Sequence, residues 1–138
     1  MKFVWTPEFS VGVKMFDEHH QHWFEMANKI YDLANESVID KEKLLILITE
    51  FGNYALYHLS AEEEFFKEYG YPDSELHIKF HNLHRQKIKE YLEEIQKLQS
   101  DIQKIAKDLN EFAEKWLIDH IASMDKKYTS FFNSHGVN

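Results

Sequence analysis

The sequence predicts an all-α protein that folds as an up-down-up-down antiparallel four-helix bundle with an ordered N-terminal arm. Apolar residues recur every three or four positions through four long stretches, which is the spacing of one helix face. Only four Gly and two Pro are present, so long elements with short connections are expected. Helices of this kind bury their apolar faces on a common axis, and 138 residues suit a single domain over residues 1–138.

Capping and terminating residues set the predicted helix bounds. Asp40 is expected to cap the second helix, which ends at Gly70 with Pro72 just beyond. Ser74 is expected to cap the third helix, and residues 100–103 have the form of a capping box that opens the fourth. The predicted segments are an arm over about 1–15 and helices over about 17–36, 40–69, 74–99 and 101–130.

Composition excludes several classes of function. The formal net charge of -8, without a basic stripe, argues against a nucleic-acid partner. Cysteine is absent, so disulfides, thiolate metal sites and a thiol nucleophile are excluded, and any metal must bind nitrogen and oxygen. The N-terminal residues lack the apolar run of a signal peptide, and no uncharged apolar stretch could span a membrane. A cytoplasmic protein with no membrane association is expected.

Histidine and glutamate interrupt the apolar stripes that should face the bundle interior. Burying such groups without partners would cost on the order of several kcal/mol each, which a metal cluster avoids by binding all of them at once. A single interior histidine is more often a hydrogen-bonded structural residue, but several ligand types on all four stripes favour a metal site. The residues concerned are His20, His58, Glu62, His77, His81 and His120.

Spacing along the helices supports a metal site. His58 with Glu62, and His77 with His81, are four residues apart, which stacks each pair on one helix face. Asp125 lies five residues after His120 and would sit roughly 140° off that face in an ideal helix. It must therefore reach in from the edge, or the helix must distort locally. Five imidazoles and two carboxylates exceed the needs of one ion, so two ions fit the count better.

Five motifs spread along the chain resemble those of the hemerythrin family, in particular the single-domain bacteriohemerythrins. They are Phe9-Ser10-Val11-Gly12-Val13, Asp17-Glu18-His19-His20, His58-Leu59-Ser60-Ala61-Glu62-Glu63, Gly70-Tyr71-Pro72 with His77 and His81, and Trp116-Leu117 with His120-Ile121 and Asp125. The resemblance covers nearly the whole chain, and all seven of the family's iron ligands have counterparts. The spacing of His120 and Asp125 is the family's own.

The resemblance implies a di-iron centre with an oxo or hydroxo bridge. One iron would be held by His77, His81 and His120, the other by His20 and His58, and both by the bridging carboxylates Glu62 and Asp125. The second iron then has one ligand fewer, and O2 would bind there reversibly. The implied role is O2 storage, delivery or sensing without enzymatic turnover; a di-iron enzyme acting on peroxide, nitrite or nitric oxide is the alternative. Iron storage would require more than two irons per chain.

Elementary chemistry agrees with this expectation. Two ferrous ions, two carboxylates and one hydroxide leave a single net positive charge, small enough to bury, and neutral imidazoles favour the ferrous form. Leu117 lies three residues before His120 and Phe24 four after His20, so both are expected to line an apolar O2 pocket, although simple core packing fits equally well. A nitrogen and oxygen ligand set would also accept manganese. A monomer or small homo-oligomer, with or without a protein partner, is compatible with the sequence.

The remaining histidines and acidic residues are given structural or solvent-exposed positions. His84 continues the inward stripe of the third helix and is interpreted as a buried polar residue rather than a partner of a metal ligand. The residues expected to be exposed or in a frayed tail are His19, His22, Glu63, Glu64 and His135.

Overall fold

The computed structural model describes residues 2–138, and within that range the chain forms helices and no strands. The four long helices are α1 (Lys14–Ala34), α2 (Lys41–Tyr69), α3 (Ser74–Ile95) and α4 (Ile102–Ser123). A short helix, α5 (Thr129–Ser134), follows a 3-10 turn over Asp125–Tyr128. Each long helix packs on the next one in the chain, and α4 returns to pack on α1. The predicted four-helix bundle is confirmed.

Side-chain caps begin two of the helices. Asp40 accepts hydrogen bonds from the backbone N–H groups of Glu42 and Lys43, as expected for a cap of α2. Asp101, rather than Ser100, caps α4 by accepting from the N–H of Lys104. The expected cap at Ser74 is wrong, because Ser74 is the first residue inside α3 and Asp73, which precedes it, makes no side-chain cap.

The N-terminal arm is tied to the bundle by hydrogen bonds at both ends. The Phe3 N–H donates to Asn28 Oδ1 at 2.7 Å, and Asn28 Nδ2 donates back to the Phe3 carbonyl at 2.9 Å. Further along, the Val11 N–H donates to the Asp17 carboxylate, and the Val11 carbonyl accepts from Thr129 Oγ1 at 2.6 Å. The arm therefore joins α1 to α5, as an ordered segment of the domain.

Close packing between the arm and α5 requires glycine at position 12. Gly12 has a φ of 70°, a left-handed conformation that strains other residues. A Cβ atom there would lie 2.6 Å from Thr129 Cγ2. The Gly12 carbonyl also accepts a hydrogen bond from Asn133 Nδ2 at 2.9 Å, which holds α5 against the arm.

The C-terminal region differs most from the predicted fourth helix. α4 ends at Ser123 rather than near residue 130, and the 3-10 turn and α5 take its place. Tyr128 and Phe132, which follow the break, are fully buried. The tail is not frayed at His135, because its Nδ1 lies 2.8 Å from the Phe131 carbonyl, although the residue is exposed. Over residues 2–138, none of the helices combines the length and apolar character needed to cross a membrane.

Candidate metal centre

The seven residues predicted to bind metal converge in the interior of the bundle. Each is at most 5% exposed. Every long helix contributes at least one side chain, and the 3-10 turn after α4 supplies the last. The set is His20 from α1, His58 and Glu62 from α2, His77 and His81 from α3, His120 from α4, and Asp125.

The side chains form two groups that share Asp125. In the first group one donor atom each from His77, His81, His120 and Asp125 lies within 4.8 Å of all the others. In the second group the same holds for His20, His58, Glu62 and Asp125. Within each group imidazole nitrogens approach closely: the Nε2 atoms of His77 and His120 are 3.2 Å apart, and those of His20 and His58 are 3.1 Å apart.

Both carboxylates reach from one group to the other. Asp125 Oδ1 lies 2.9 Å from His77 Nε2 and 3.0 Å from His120 Nε2, while Oδ2 lies 3.2 Å from His20 Nε2. Glu62 Oε1 contacts His58 Nε2, and Oε2 lies 3.7 Å from His77 Nε2. The two oxygens of each carboxylate thus face different histidine groups, which is the arrangement of a carboxylate that bridges two ions.

The end of α4 brings Asp125 into the site. An uninterrupted helix would turn this side chain away from His120. Instead, the last helical hydrogen bond of α4 runs from the Met124 N–H to the His120 carbonyl at 2.7 Å, and Asp125 begins the tighter 3-10 turn. Local distortion, one of the two possibilities that the sequence left open, is what the structure contains.

Electrostatics indicate that this donor set fits cations. Burial, together with the charge of Asp125, raises the pKa of Glu62 to about 8. Burial also opposes ionisation of Asp125, but His120 and hydrogen bonds from the surrounding imidazoles outweigh it and hold the pKa of that carboxyl well below its usual value. At neutral pH the ionised Asp125 therefore lies beside a Glu62 that is largely protonated, and ionising both at that pH needs added positive charge. Metal ions supply that charge, and the residues fit a two-metal centre.

Two of the five candidate histidines are held in the neutral form that metals bind, whereas Asp125, against the effect of burial, raises the pKa of His120. Burial, followed by the neighbouring His20, lowers the pKa of His58 well below its ordinary value. Burial also lowers the pKa of His81 to about 4. Both rings are therefore neutral at physiological pH, with a lone pair available on one nitrogen. Neither ring nitrogen of His81 has a hydrogen-bond partner among the described residues, so both are free to bind a ligand.

Glu63 does not lie on a solvated face, contrary to the prediction. Its side chain is 20% exposed, and both oxygens accept hydrogen bonds from Arg85, one at 2.9 Å. Glu63 Oε2 also lies 3.8 Å from His81 Nδ1. Although burial would raise the pKa of Glu63, the nearby His81 imidazole and the hydrogen bonds and charge of Arg85 lower it to about 2. Arg85 therefore holds the Glu63 carboxylate beside a candidate ligand, where its negative charge faces the imidazole.

The prediction that His19 is exposed is also wrong, because the residue is buried. Its Nδ1 lies 2.9 Å from His58 Nδ1. Burial, followed by His58, lowers the pKa of His19 to about 4, so the ring is neutral. If Nε2 of His58 binds a metal ion, its Nδ1 carries the proton and donates a hydrogen bond to His19. His22, in contrast, is exposed as predicted.

The two predicted pocket residues occupy different surroundings. Leu117 is fully buried, one turn before His120. Phe24 is buried as well, but its ring packs on Phe3 and Phe9 of the arm, with centroids 5.4 and 5.0 Å away. The role of both residues as an O2 pocket remains a prediction.

Other aromatic rings, for which the sequence predicted no role at the centre, surround the candidate ligands. Trp116 stacks on His120 with ring centroids 4.1 Å apart, and Trp23 lies 5.3 Å from the ring of His58. Tyr128 packs in parallel with His77, and burial together with the charge of Glu62 raises its pKa well above the ordinary value. The sequence signals of these rings are the high aromatic content, the apolar stripes and, for Trp116, the motif that contains it.

Comparison with known proteins agrees with this geometry. Residues 11–131 match the family model described as the hemerythrin HHE cation binding domain. A bacteriohemerythrin from Clostridium acetobutylicum is 33% identical over 128 residues, covering 91% of this chain and 98% of the relative. One from Methylococcus capsulatus is 30% identical, covering 91% and 92%. Among solved structures, a wild-type hemerythrin superposes with a TM-score of 0.84 at 24% identity, covering 94% of this chain and 97% of that one.

Proposed function

This chain belongs to the hemerythrin family, and on that premise we propose that it binds dioxygen reversibly at a non-haem di-iron centre. The observation that carries the proposal is the pair of buried histidine groups joined by Glu62 and Asp125. One group contains three imidazoles and the other contains two. Because the group of His20 and His58 has one imidazole fewer, it has room for one more small ligand.

Each residue has a role in the proposed centre. His77, His81 and His120 would hold one iron, and His20 and His58 the other. Glu62 and Asp125 would bridge them, since their oxygens face both groups. When bound, the ferrous pair supplies the electrons and the open position that O2 binding needs.

The protein surroundings favour binding over turnover. Five of the seven candidate ligands are imidazoles, and a neutral donor set stabilises the ferrous state more than a carboxylate-rich one. Trp23 packs against His58, and Phe66 lies 4.8 Å from the ring of His77, so apolar rings limit the access of water. These contacts support a site that releases its ligand unchanged.

Groups outside the ligand set support the imidazoles on both sides of the centre. His19 accepts from His58 on one side of the centre, and Glu63 approaches His81 on the other. The hydrogen bond between His19 and His58 fixes which nitrogen of His58 is free to bind metal, and the charge of Glu63 faces the Nδ1 side of His81. The two proposed iron positions therefore have separate supports, which can be tested separately.

The proposal is tested by spectroscopy on protein loaded with iron under argon. Metal analysis should give two irons per chain, and a visible charge-transfer band should appear in air and disappear when argon returns. His58→Ala should lose this band, whereas His22→Ala, which alters an exposed histidine, should keep it. Direct conversion to a stable ferric state with O2 consumed would refute reversible binding. Turnover of peroxide, nitrite or nitric oxide would then become the working function.

A further inference from the structure

His120 is the most exposed of the seven candidate ligands. It is 5% exposed, whereas each of the other six is at most 1% exposed. Its Nε2 is directed towards the candidate centre, 3.0 Å from Asp125 Oδ1 and 3.2 Å from His77 Nε2. The same residue therefore faces the centre with one ring nitrogen and approaches solvent elsewhere.

A cavity of about 260 Å³ lies against His120, on the side of the bundle where α3 and α4 meet. Phe80 of α3 lines it from one helix, and Trp116 of α4 lines it from the other. A space of this size holds several water molecules. Because Phe80 is 41% exposed, the cavity reaches the surface and connects it to a candidate ligand.

Trp116 covers His120 in this cavity. The two rings are nearly parallel, with an interplanar angle of 16° and centroids 4.1 Å apart. Trp116 is only partly buried, and both residues lie near the C-terminal end of α4, one turn apart. A partly exposed side chain can change rotamer without unfolding the helix that carries it. Movement of this indole would uncover the imidazole behind it.

The charged side chains that line the cavity suit the passage of a hydrated cation. Asp119 offers carboxylate oxygens, which hard cations bind, and Lys115 lies one turn before it on α4 with the opposite charge. Both residues are exposed. With Lys115 nearby, Asp119 would hold a cation only weakly, as a route of passage requires. The net charge of -8 attracts cations to the protein as a whole.

We propose that ferrous ions enter and leave the centre through this cavity, past Trp116 and His120. The inference rests on the di-iron centre proposed above. The imidazole of His120 turns outwards to admit an ion and then turns back to complete the group of three histidines. Trp116 must shift with it, because the two rings are stacked. Trp116 thus limits the rate of exchange without binding the metal.

Rates and affinity, measured separately, test this route. Uptake of Fe²⁺ by the metal-free protein and its release from the loaded protein are followed under argon with a colorimetric ferrous chelator. Equilibrium competition with the same chelator gives the affinity. Trp116→Phe should speed uptake and release by the same factor, roughly two- to tenfold, the range expected for one aromatic contact. The affinity should therefore be unchanged. Trp5→Phe, in the N-terminal arm, should alter neither rate.

Two further variants test the walls of the cavity. Phe80→Ala should also speed uptake and release together, because it widens the cavity from the side of α3. Leu56→Ala is the matched control, since Leu56 is 48% exposed and lines a different cavity, between α2 and α3; both rates should stay unchanged. Ser123→Phe places a larger side chain in the cavity and should slow both rates.

Unchanged rates in Trp116→Phe and Phe80→Ala would overturn the route. Faster release with unchanged uptake in Trp116→Phe would also overturn it, because Trp116 would then stabilise the bound state rather than obstruct the path. These measurements involve no O2, so a failure of reversible O2 binding would leave their result standing. A protein that takes up no iron would refute both this route and the di-iron centre.

Discussion

Replacing Glu63 with glutamine isolates the contribution of the carboxylate beside His81. The substitution keeps the shape of the side chain but removes the charge that pairs with Arg85. Glu64, which is exposed, provides the matched control, Glu64→Gln. Glu63→Gln should destabilise the metal-free protein and weaken binding of the iron that we propose at His81, whereas Glu64→Gln should do neither.

The magnitude follows from the pKa of Glu63. Its decrease from 4.5 to about 2 corresponds to roughly 3 kcal/mol of preference for the ionised form. Because the carboxylate is partly exposed, solvent screening reduces this, and about 1 to 2 kcal/mol of lost stability is expected. Iron affinity should fall about 10- to 100-fold, as is usual when the partner of a metal-bound histidine is removed.

The direction of the pH dependence is determined by the same shift. Since the pKa is lower in the folded state, the stabilisation is fully present above the unfolded value of 4.5 and is lost as the pH falls towards about 2. The difference in stability between the unmodified protein and Glu63→Gln should therefore be constant from pH 7 to about pH 5 and shrink below that.

Urea unfolding of the metal-free protein at several pH values measures the loss of stability and its pH dependence. Iron release to a chelator, followed at neutral pH, measures the change in iron affinity. The reasoning would be refuted if Glu63→Gln and Glu64→Gln unfolded at the same urea concentration, or if their difference stayed constant below pH 4.

Three further substitutions test other parts of the structure. His58→Ala should lower both bound iron and the thermal stability of the loaded protein, measured by metal analysis and calorimetry, with His22→Ala unchanged. His19→Ala should retain the fold but release iron about tenfold faster, because His58 loses the acceptor that orients it; an unchanged release rate would contradict this role. Gly12→Ala should lower the free energy of unfolding by about 1 to 3 kcal/mol, measured in urea, because its left-handed φ and the contact with Thr129 both oppose a Cβ.

The sequence was sufficient to predict the bundle and to select the residues that converge in its core. Four stripes with helical spacing determine which side of each helix is buried, and ligand-type residues on those stripes must then meet near the axis. His58 with Glu62, and His77 with His81, needed only the regular spacing of a helix to be paired. The family resemblance supplied the division of the histidines between two irons, which spacing alone did not provide.

Tertiary structure decided the features that depend on contacts between helices. His19 is about one-quarter of a turn from His20, so a single-helix pattern places it outside the stripe, but α2 passes on that side and buries it against His58. Glu63 is similar: only the approach of α3 brings Arg85, the single arginine of the chain, to its carboxylate. Such pairings lie far apart in sequence and leave no periodic signal.

The end of α4 shows which features of the site could be predicted from the sequence and which required the tertiary structure. The residue types at His120 and Asp125 identified a ligand pair with an awkward spacing, yet neither glycine nor proline after Ser123 signals that the helix stops there. The break depends on burial of Tyr128 and Phe132 against the bundle and on the contacts of α5 with the arm. Local pattern thus specified which groups enter the centre, while packing between distant segments specified the backbone path that brings Asp125 to it.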